Sequence, residues 1–122
     1  MSFTFGLDWD GTVTRAPDEF LAFAKSLMAA GHKVYVVTMR YASEIKEIAA
    51  WEGHVSGFVF SDRKAKKTKC EELGIHVDIW IEDNPMAIYK DGKDIWGFVT
   101  PEGLIHENPV SDAGTIEAAI AA

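Results

Sequence analysis

The chain has 122 residues, of which 48% are hydrophobic and 25% are charged, and its formal net charge is -7. This length predicts one domain over residues 1–122, and the near-average composition excludes collagen-like repeats, coiled coils and intrinsic disorder. The acidic excess argues against general nucleic-acid binding, and no apolar run is long enough to span a membrane. Met1 to Leu7 lacks the basic flank of a signal peptide, and the single cysteine, Cys70, suits a reducing compartment. We therefore expect a soluble cytoplasmic protein.

In chain order, β-rich segments alternate with segments of helical periodicity. The pattern predicts a strand at 3–8, a helix at 17–30, a strand at 33–38, a helix at 42–52, a strand at 58–60, a helix at 66–73 and a strand at 79–82. A glycine closes each of these helices, where helices commonly end. After Pro85 the pattern weakens, and it predicts strands at 95–99 and 104–105 and a last helix from Ser111 or Asp112 through Ala121.

This alternation predicts an α/β fold with a mainly parallel central sheet, because successive parallel strands need helical crossovers between them. In open sheets of this kind, ligands bind beyond the carboxyl ends of the strands. The residues that end or follow the predicted strands are therefore the first candidates for a functional site. These positions begin at Asp8, Thr38, Phe60 and Glu82.

The first of these positions opens the segment Asp8-Trp9-Asp10-Gly11-Thr12. Two carboxylates two residues apart at a strand end can present one oxygen to a cation and another to an electrophile. Gly11 permits a tight turn between them. An ordinary acidic turn has the same composition, so the segment alone leaves both interpretations open.

Two further strand ends have groups suited to phosphate or metal chemistry. Thr38 ends the run of β-branched residues before it, and a hydroxyl beside free backbone N–H groups can hold phosphate oxygens. Taken alone, Thr38 is better explained as a good strand residue. The segment Glu82-Asp83-Asn84-Pro85 offers the oxygen ligands that Mg²⁺ prefers, although an acidic turn is again the alternative.

A basic run precedes that acidic segment. Five of the chain's 12 basic residues fall within seven positions: Arg63, Lys64, Lys66, Lys67 and Lys69. A charge run usually forms a solvated helix face, but helical spacing places Lys66 on the same side as Cys70 and Leu73. Lys67 has the i, i+3 relation to Cys70, so the choice between these two lysines remains open.

The order and placement of these features resemble the haloacid dehalogenase (HAD) superfamily of phosphotransferases. Its members have D-x-D-x-T/V after the first strand, Thr or Ser after the second, a lysine further on and an acidic pair after the fourth. The resemblance covers about residues 3–90. It implies a three-layer α/β/α Rossmann-like sandwich, and the two intervals in which caps are inserted are too short to hold a cap domain.

The resemblance also implies a mechanism. Asp8 would be the nucleophile that forms an aspartyl-phosphate, and Asp10 would act as general acid and then as general base. Mg²⁺ would be the cofactor, held by Asp8, by the main-chain carbonyl of Asp10 and by Asp83. Relatives often have a further carboxylate after the acidic pair. Here the next is Asp91, which either assists the metal or occupies a turn, and we favour the turn.

The remaining residues have supporting roles in this scheme. Thr38 and one of Lys66 and Lys67 would bind the phosphoryl oxygens, where charge accumulates in the transition state. Glu82 and Thr12 would support the metal site without contacting the metal.

The presence of Asp10 favours a phosphatase, since HAD members with a carboxylate at that position are typically phosphatases or phosphomutases and mutases usually need a cap. The expected partner is a phosphorylated substrate, either a small molecule or an exposed phosphate on a larger one, and a homo-oligomer is possible. Trp9 and Arg40 are candidate substrate contacts because both border the expected site. For Trp9, a partly buried aromatic side chain without a role in binding is at least as good an interpretation.

Two other functions are compatible with parts of the pattern. A receiver-type phosphoacceptor module also combines aspartate, Mg²⁺, threonine and lysine on an α/β sheet, but it has its phosphoacceptor after the third strand. In this chain Ser61-Asp62 is a weak imitation of that site, and the lysine precedes the last acidic group instead of following it. A catalytically idle HAD-like binding protein is the other alternative, and nothing in the residues favours it.

Overall fold

The computed structural model describes residues 1–96 and 120–121. The strands are β1 (Thr4–Leu7), β2 (Lys33–Thr38), β3 (Gly57–Phe60), β4 (Ile79–Ile81) and β5 (Ile120–Ala121), and the α-helices are α1 (Pro17–Ala29), α2 (Lys66–Glu72), α3 (Met86–Tyr89) and α4 (Gly92–Trp96). Short 3-10 helices cover Val13–Arg15, Ala42–Glu44 and Lys46–Trp51. Within the described ranges, none of the helices has the length and apolar character needed to cross a membrane.

The described strands form one sheet in the order β3-β2-β1-β4-β5. The first four of these are mutually parallel, and β5 runs antiparallel to β4. A parallel sheet that places β1 between β2 and β4 has the strand order of Rossmann-like folds. The prediction of an α/β fold with a mainly parallel sheet is confirmed.

The interior strand β2, between β3 and β1, is buried on both faces, as its unbroken run of apolar residues predicts. Val34 and Val36 lie in one apolar cluster, together with Phe20 and other residues of α1. Val37 lies in a second cluster with Cys70 of α2 and Ile88 of α3. Because successive residues of a strand point to opposite faces, this alternation packs helices against both faces of β2.

The predicted helix at 42–52 forms as two 3-10 segments instead of one α-helix. The main-chain carbonyl of Glu44 accepts a hydrogen bond from the Arg40 guanidinium, and the amide of Ile48 donates to Ile45 in a tighter i→i+3 turn. Lys46 has a positive φ of 41°, which an α-helix does not accommodate. Glu44 and Glu47 also accept hydrogen bonds from the distant residues Arg63 and Trp9, so tertiary contacts as well as local ones override the helical periodicity of this segment.

Predictions beyond Pro85 were the least accurate. The strand at 95–99 is wrong at Ile95 and Trp96, which end α4, and 97–99 and 104–105 lie outside the described residues. The last helix is wrong at its end, because Ile120 and Ala121 pair as a strand with β4. The rest of that predicted helix, 111–119, lies outside the described residues. Pairing with β4 supplies hydrogen bonds that no local pattern reveals.

Candidate active site

The carboxyl ends of β1 and β4 lie side by side and bring three acidic side chains together. Leu7 is in register with Ile81, so Asp8 and Glu82 follow directly on neighbouring strands. Ligand oxygens of Asp8, Glu82 and Asp83 lie within 4.8 Å of one another, and the three residues are only 5%, 2% and 6% exposed. We call these three residues the acidic cluster. It forms at the carboxyl ends of the strands, where the sequence predicts a site.

Lys66 is the cation that pairs with two residues of the acidic cluster. Its Nζ donates to Asp8 Oδ1 at 2.6 Å and also to Glu82 Oε1. Lys67 instead lies on the surface, with its Nζ 6.0 Å from the centre of the Tyr89 ring. The structure thus selects Lys66 from the two lysines that helical spacing left open, and Lys67 does not reach the cluster.

Asp91 determines where the helix that contains Lys66 begins. Its Oδ1 accepts a hydrogen bond of 2.8 Å from the amide of Ala65, the residue before α2, and the amide of Gly92 donates to the carbonyl of Arg63. These bonds hold the residues directly before α2 and so help to position Lys66, its first residue, next to Asp8. Asp91 therefore contacts the backbone at the start of α2, and it is not a member of the acidic cluster.

Thr12 joins the two acidic segments. Its hydroxyl donates to Asp8 Oδ2 at 2.9 Å and accepts a hydrogen bond of 3.2 Å from the amide of Asp83. Both oxygens of Asp8 are thus hydrogen-bonded, one to Lys66 and one to Thr12. Thr12 therefore connects Asp8, at the end of β1, with Asp83, at the end of β4.

The carboxylate of Asp83 lies against the backbone of Gly11. A Cβ at Gly11 would overlap Asp83 Oδ2 and would lie 2.8 Å from its Cγ, and Gly11 has a positive φ of 89°. Asp83 Oδ2 is buried and has no hydrogen-bond partner. A buried carboxylate oxygen without a partner is costly, so this atom is a candidate ligand for a cation.

Replacing Gly11 with alanine should destabilise the protein more than replacing Gly53 with alanine. Both glycines have a φ near +90°, but the space around a Cβ at Gly53 is empty. Each substitution should cost about 1–2 kcal/mol in backbone strain, and Gly11→Ala should lose about 1–3 kcal/mol more through its collision with Asp83. Urea denaturation of the two variants measures the difference, and equal losses would contradict the close packing of Asp83 on Gly11.

Burial and mutual repulsion perturb the ionisation of the cluster. Burial raises the pKa of Asp8 to about 6, although Lys66 lowers it, and Asp83 raises it further. Burial and the neighbouring Asp8 also raise the pKa of Glu82 well above its usual value. Burial lowers the pKa of Lys66, but Asp8 and Glu82 outweigh this effect and raise it above its ordinary value. The site therefore holds a protonated Lys66, whose single positive charge does not balance the three acidic groups of the cluster.

A second network surrounds Asp10. Arg40 Nε donates to Asp10 Oδ2 at 2.9 Å and Arg40 Nη2 donates to Asp10 Oδ1 at 2.7 Å. The same guanidinium donates from Nη1 and Nη2 to Glu47 at 3.1 and 2.9 Å, and from Nη1 to the carbonyl of Glu44 at 2.9 Å. These five bonds use all five N–H groups of an arginine. Arg40, a candidate substrate contact, thus lies beside Asp10 with its donors engaged by protein groups in this structure.

For Trp9, the structure supports the interpretation as a buried aromatic side chain over that as a substrate contact. It is 3% exposed, its ring packs edge-on against Trp51 with centroids 4.9 Å apart, and its Nε1 donates to Glu47 Oε2 at 3.0 Å. The side chain therefore belongs to the apolar core. Its function is to anchor the Asp8–Gly11 loop on the segment that follows β2.

Thr38 lies at the end of β2, next to β1, and is fully enclosed with 1% exposure. Its Oγ1 accepts a hydrogen bond of 3.2 Å from the amide of Arg40. This bond orients the hydroxyl within the turn after β2. Thr38 thus reaches the edge of the sheet where Asp8 lies, as predicted from the strand ends.

Two contacts near the site were not predicted from the sequence: that of Glu47 with Arg40, and the burial of Arg63 against Glu44 and Met39. Glu47 lies seven residues after Arg40 in a segment predicted to be a plain helix, so no local signal identifies it as a partner of Arg40. Arg63 is buried, donates to Glu44 and to the carbonyl of Met39, and stacks on Tyr41 at 4.7 Å. It links the turns after β2 and β3. The basic run thus contains one site lysine and one buried structural arginine.

Comparisons with protein-family models, with curated proteins and with solved structures found no match. The assignment of function therefore depends on the chemistry of the residues described above.

Proposed function

We propose that the protein is a magnesium-dependent phosphatase of HAD type that hydrolyses a phosphate monoester through an aspartyl-phosphate on Asp8. In this proposal residues 1–122 form one catalytic domain, a three-layer α/β/α sandwich without a cap. The two apolar clusters on opposite faces of β2 support the three layers. The short connection between β1 and α1 supports the absence of a cap.

One observation carries the proposal: Lys66 bridges Asp8 and Glu82, with Asp83 beside them, at the carboxyl edge of a parallel sheet. Buried charges of this kind add little to the stability of the fold, because their desolvation opposes folding. Strongly perturbed ionisation of buried groups is typical of functional sites. The arrangement matches what covalent phosphoryl transfer requires, a carboxylate nucleophile next to a cation that attracts phosphate.

The reaction proceeds in two displacements. In the first, an oxygen of Asp8 forms a bond to phosphorus while the bond to the leaving oxygen breaks, and Asp10 donates its proton to that oxygen. In the second, water attacks the phosphorus of the aspartyl-phosphate and Asp10 accepts its proton. The Asp8 carboxylate leaves, and inorganic phosphate is released. Thr12 and Lys66 hold the carboxylate of Asp8 in place throughout.

Lys66 and Thr38 would bind the phosphoryl oxygens. Lys66 is already at Asp8, so the transferred group would meet its ammonium when it meets the nucleophile. Thr38 would contribute its hydroxyl from the end of β2, next to the strand that bears Asp8. Positive charge and donors fixed in advance stabilise the charge that develops on the equatorial oxygens.

The residues present fit Mg²⁺ as the cofactor. The acidic cluster offers only carboxylate oxygens, which suit a hard divalent cation, and Asp83 Oδ2 has no other partner. Asp8, Asp83 and the main-chain carbonyl of Asp10 would hold the ion, and Glu82 would support them through Lys66. When bound, Mg²⁺ would neutralise charge on the phosphoryl group and on the nucleophile.

The strand order argues against a receiver-type module. Receiver domains have the order 2-1-3-4-5, whereas here β3 lies outside β2 and β1 is next to β4. Asp62, which follows β3, is not a member of the acidic cluster. The phosphatase is therefore the better supported function.

The substrate class is tested by a screen of nucleotides, sugar phosphates, phosphopeptides and 3′-phosphorylated oligonucleotides. Addition of EDTA should abolish hydrolysis, and excess Mg²⁺ should restore it. Turnover that survives complete removal of metal would contradict the proposal.

Mg²⁺ should also stabilise the protein against unfolding. At a hundredfold excess over its Kd, the ion should add about 2.7 kcal/mol to the free energy of unfolding. The Asp83→Asn variant should lose this gain, while Asp18→Asn, which changes an exposed carboxylate in the first turn of α1, should keep it. Because a proton on Asp8 competes with the ion, binding should strengthen as the pH rises through about 6. Calorimetric unfolding with and without Mg²⁺ measures the gain, and an equal gain in both variants would exclude Asp83 as a ligand.

A further inference from the structure

The Asp10 carboxylate is held in one plane by Arg40. Two hydrogen bonds, from Nε to Oδ2 and from Nη2 to Oδ1, join the two side chains, and the side chains of Arg40 and Asp10 are 13% and 9% exposed. Rotation of the carboxylate would break at least one of these bonds. A paired contact of this kind specifies orientation as well as charge.

Glu47 holds the guanidinium from its other edge. Both oxygens of Glu47 accept from Arg40, and Oε2 also accepts from the indole of Trp9, the residue before Asp10. The loop that contains Asp10 is therefore connected to the segment Lys46–Trp51 through two adjacent residues. We call Arg40, Glu47 and Trp9 the Asp10 support.

We propose that Arg40, itself oriented by Glu47, is a positioning residue that sets the direction in which the Asp10 carboxyl group meets the leaving-group oxygen. This inference rests on the proposed phosphatase function. A general acid acts only within hydrogen-bond reach of the atom that it protonates, and a correctly placed one contributes about 10²–10⁴-fold in rate. The bidentate contact from Arg40 supplies that placement, because a guanidinium donates to both carboxylate oxygens at once, while an ammonium acts as a point charge.

The inference distinguishes orientation from charge. Arg40→Lys keeps the positive charge next to Asp10 but loses the two-pronged contact. Glu47→Gln keeps the length of the side chain but weakens its binding to Arg40, because the amide has no charge and only one acceptor oxygen. If orientation matters, both variants should bind substrate normally and protonate the leaving group poorly.

The test compares two aryl phosphates of similar size under saturating Mg²⁺. The leaving group of p-nitrophenyl phosphate is a good one that needs little protonation, while that of p-methylphenyl phosphate is poor. We expect Arg40→Lys to lower kcat on p-methylphenyl phosphate by about 10²-fold and on p-nitrophenyl phosphate by less than about tenfold, with KM nearly unchanged. Glu47→Gln should show the same asymmetry at a smaller size. Glu52→Gln, an exposed neighbour of the same segment, should match the wild type on both substrates.

The outcomes separate the two proposals. Equal losses on both substrates, or unchanged kcat in both variants while Asp8→Asn remains inactive, would overturn the role of Arg40 and leave the phosphatase function standing. Wild-type hydrolysis by Asp8→Asn, or no hydrolysis by the wild type, would remove the phosphatase function and the inference with it. If Arg40→Lys fails to fold, Glu47→Gln decides alone, since the side chain of Glu47 is 52% exposed and its loss is tolerable.

Discussion

Replacing Asp8 with asparagine is expected to abolish phosphate-ester hydrolysis, with kcat at least about 10³-fold below that of the wild type. The amide keeps the shape of the carboxylate, but it cannot form the bond to phosphorus that the mechanism requires. The fold should survive. The asparagine side chain retains an oxygen for Lys66, and the hydroxyl of Thr12 can reverse its role from donor to acceptor. Thermal unfolding should therefore occur at or above the wild-type temperature, since one of three buried acidic groups has lost its charge.

Asp62→Asn is the matched control for Asp8→Asn. Asp62 follows β3, where a receiver-type module would have its phosphoacceptor, and its positive φ of 56° is one that asparagine tolerates well. Asp62→Asn should hydrolyse p-nitrophenyl phosphate like the wild type. Acid-stable trapping of phosphate on Asp62, together with full activity of Asp8→Asn, would reverse the assignment of the nucleophile.

Replacing Lys66 with methionine is expected to remove activity and also to destabilise the protein by about 3–5 kcal/mol at pH 8. The variant leaves Asp8 and Glu82 buried without the cation that both contact. The free-energy loss should depend on pH. Without Lys66 the folded-state pKa of each carboxyl rises further above its unfolded value, so stability is retained at low pH and lost as the pH rises. The loss should therefore be larger at pH 8 than at pH 5.

Lys67→Met separates this effect from a general effect of removing charge from α2. The two lysines are adjacent, but Lys66 is 2% exposed and Lys67 lies on the surface. Lys67→Met should change the free energy of unfolding by less than about 0.5 kcal/mol at either pH. Urea denaturation of both variants at both pH values measures the contrast. Equal stability of Lys66→Met and the wild type at pH 8 would contradict the buried ion pairs.

Local patterns predicted the part of the fold that positions the site. The apolar run of β2, the aromatic run of β1 and the periodicity of α1 are properties of neighbouring residues, and those elements formed close to the predicted positions. The segment after β2 differed because the carbonyl of Glu44 accepts from Arg40, and the side chains of Glu44 and Glu47 accept from the distant residues Arg63 and Trp9. Ile120 and Ala121 differed because they pair with β4, far away in the chain.

The candidate site shows the same division. By itself, the sequence determined which carboxylates, which hydroxyl and which short run of lysines end at one edge of the sheet, because strand ends are set by local sterics and hydrophobicity. Only the tertiary structure decided that Lys66 and not Lys67 meets Asp8, a contact between residues 58 positions apart. It likewise decided that Arg40 binds Asp10 and Glu47. Such contacts depend on how the helices pack on the sheet and on which charged groups become buried next to each other. Residue spacing along the chain specifies neither the packing nor the pairing.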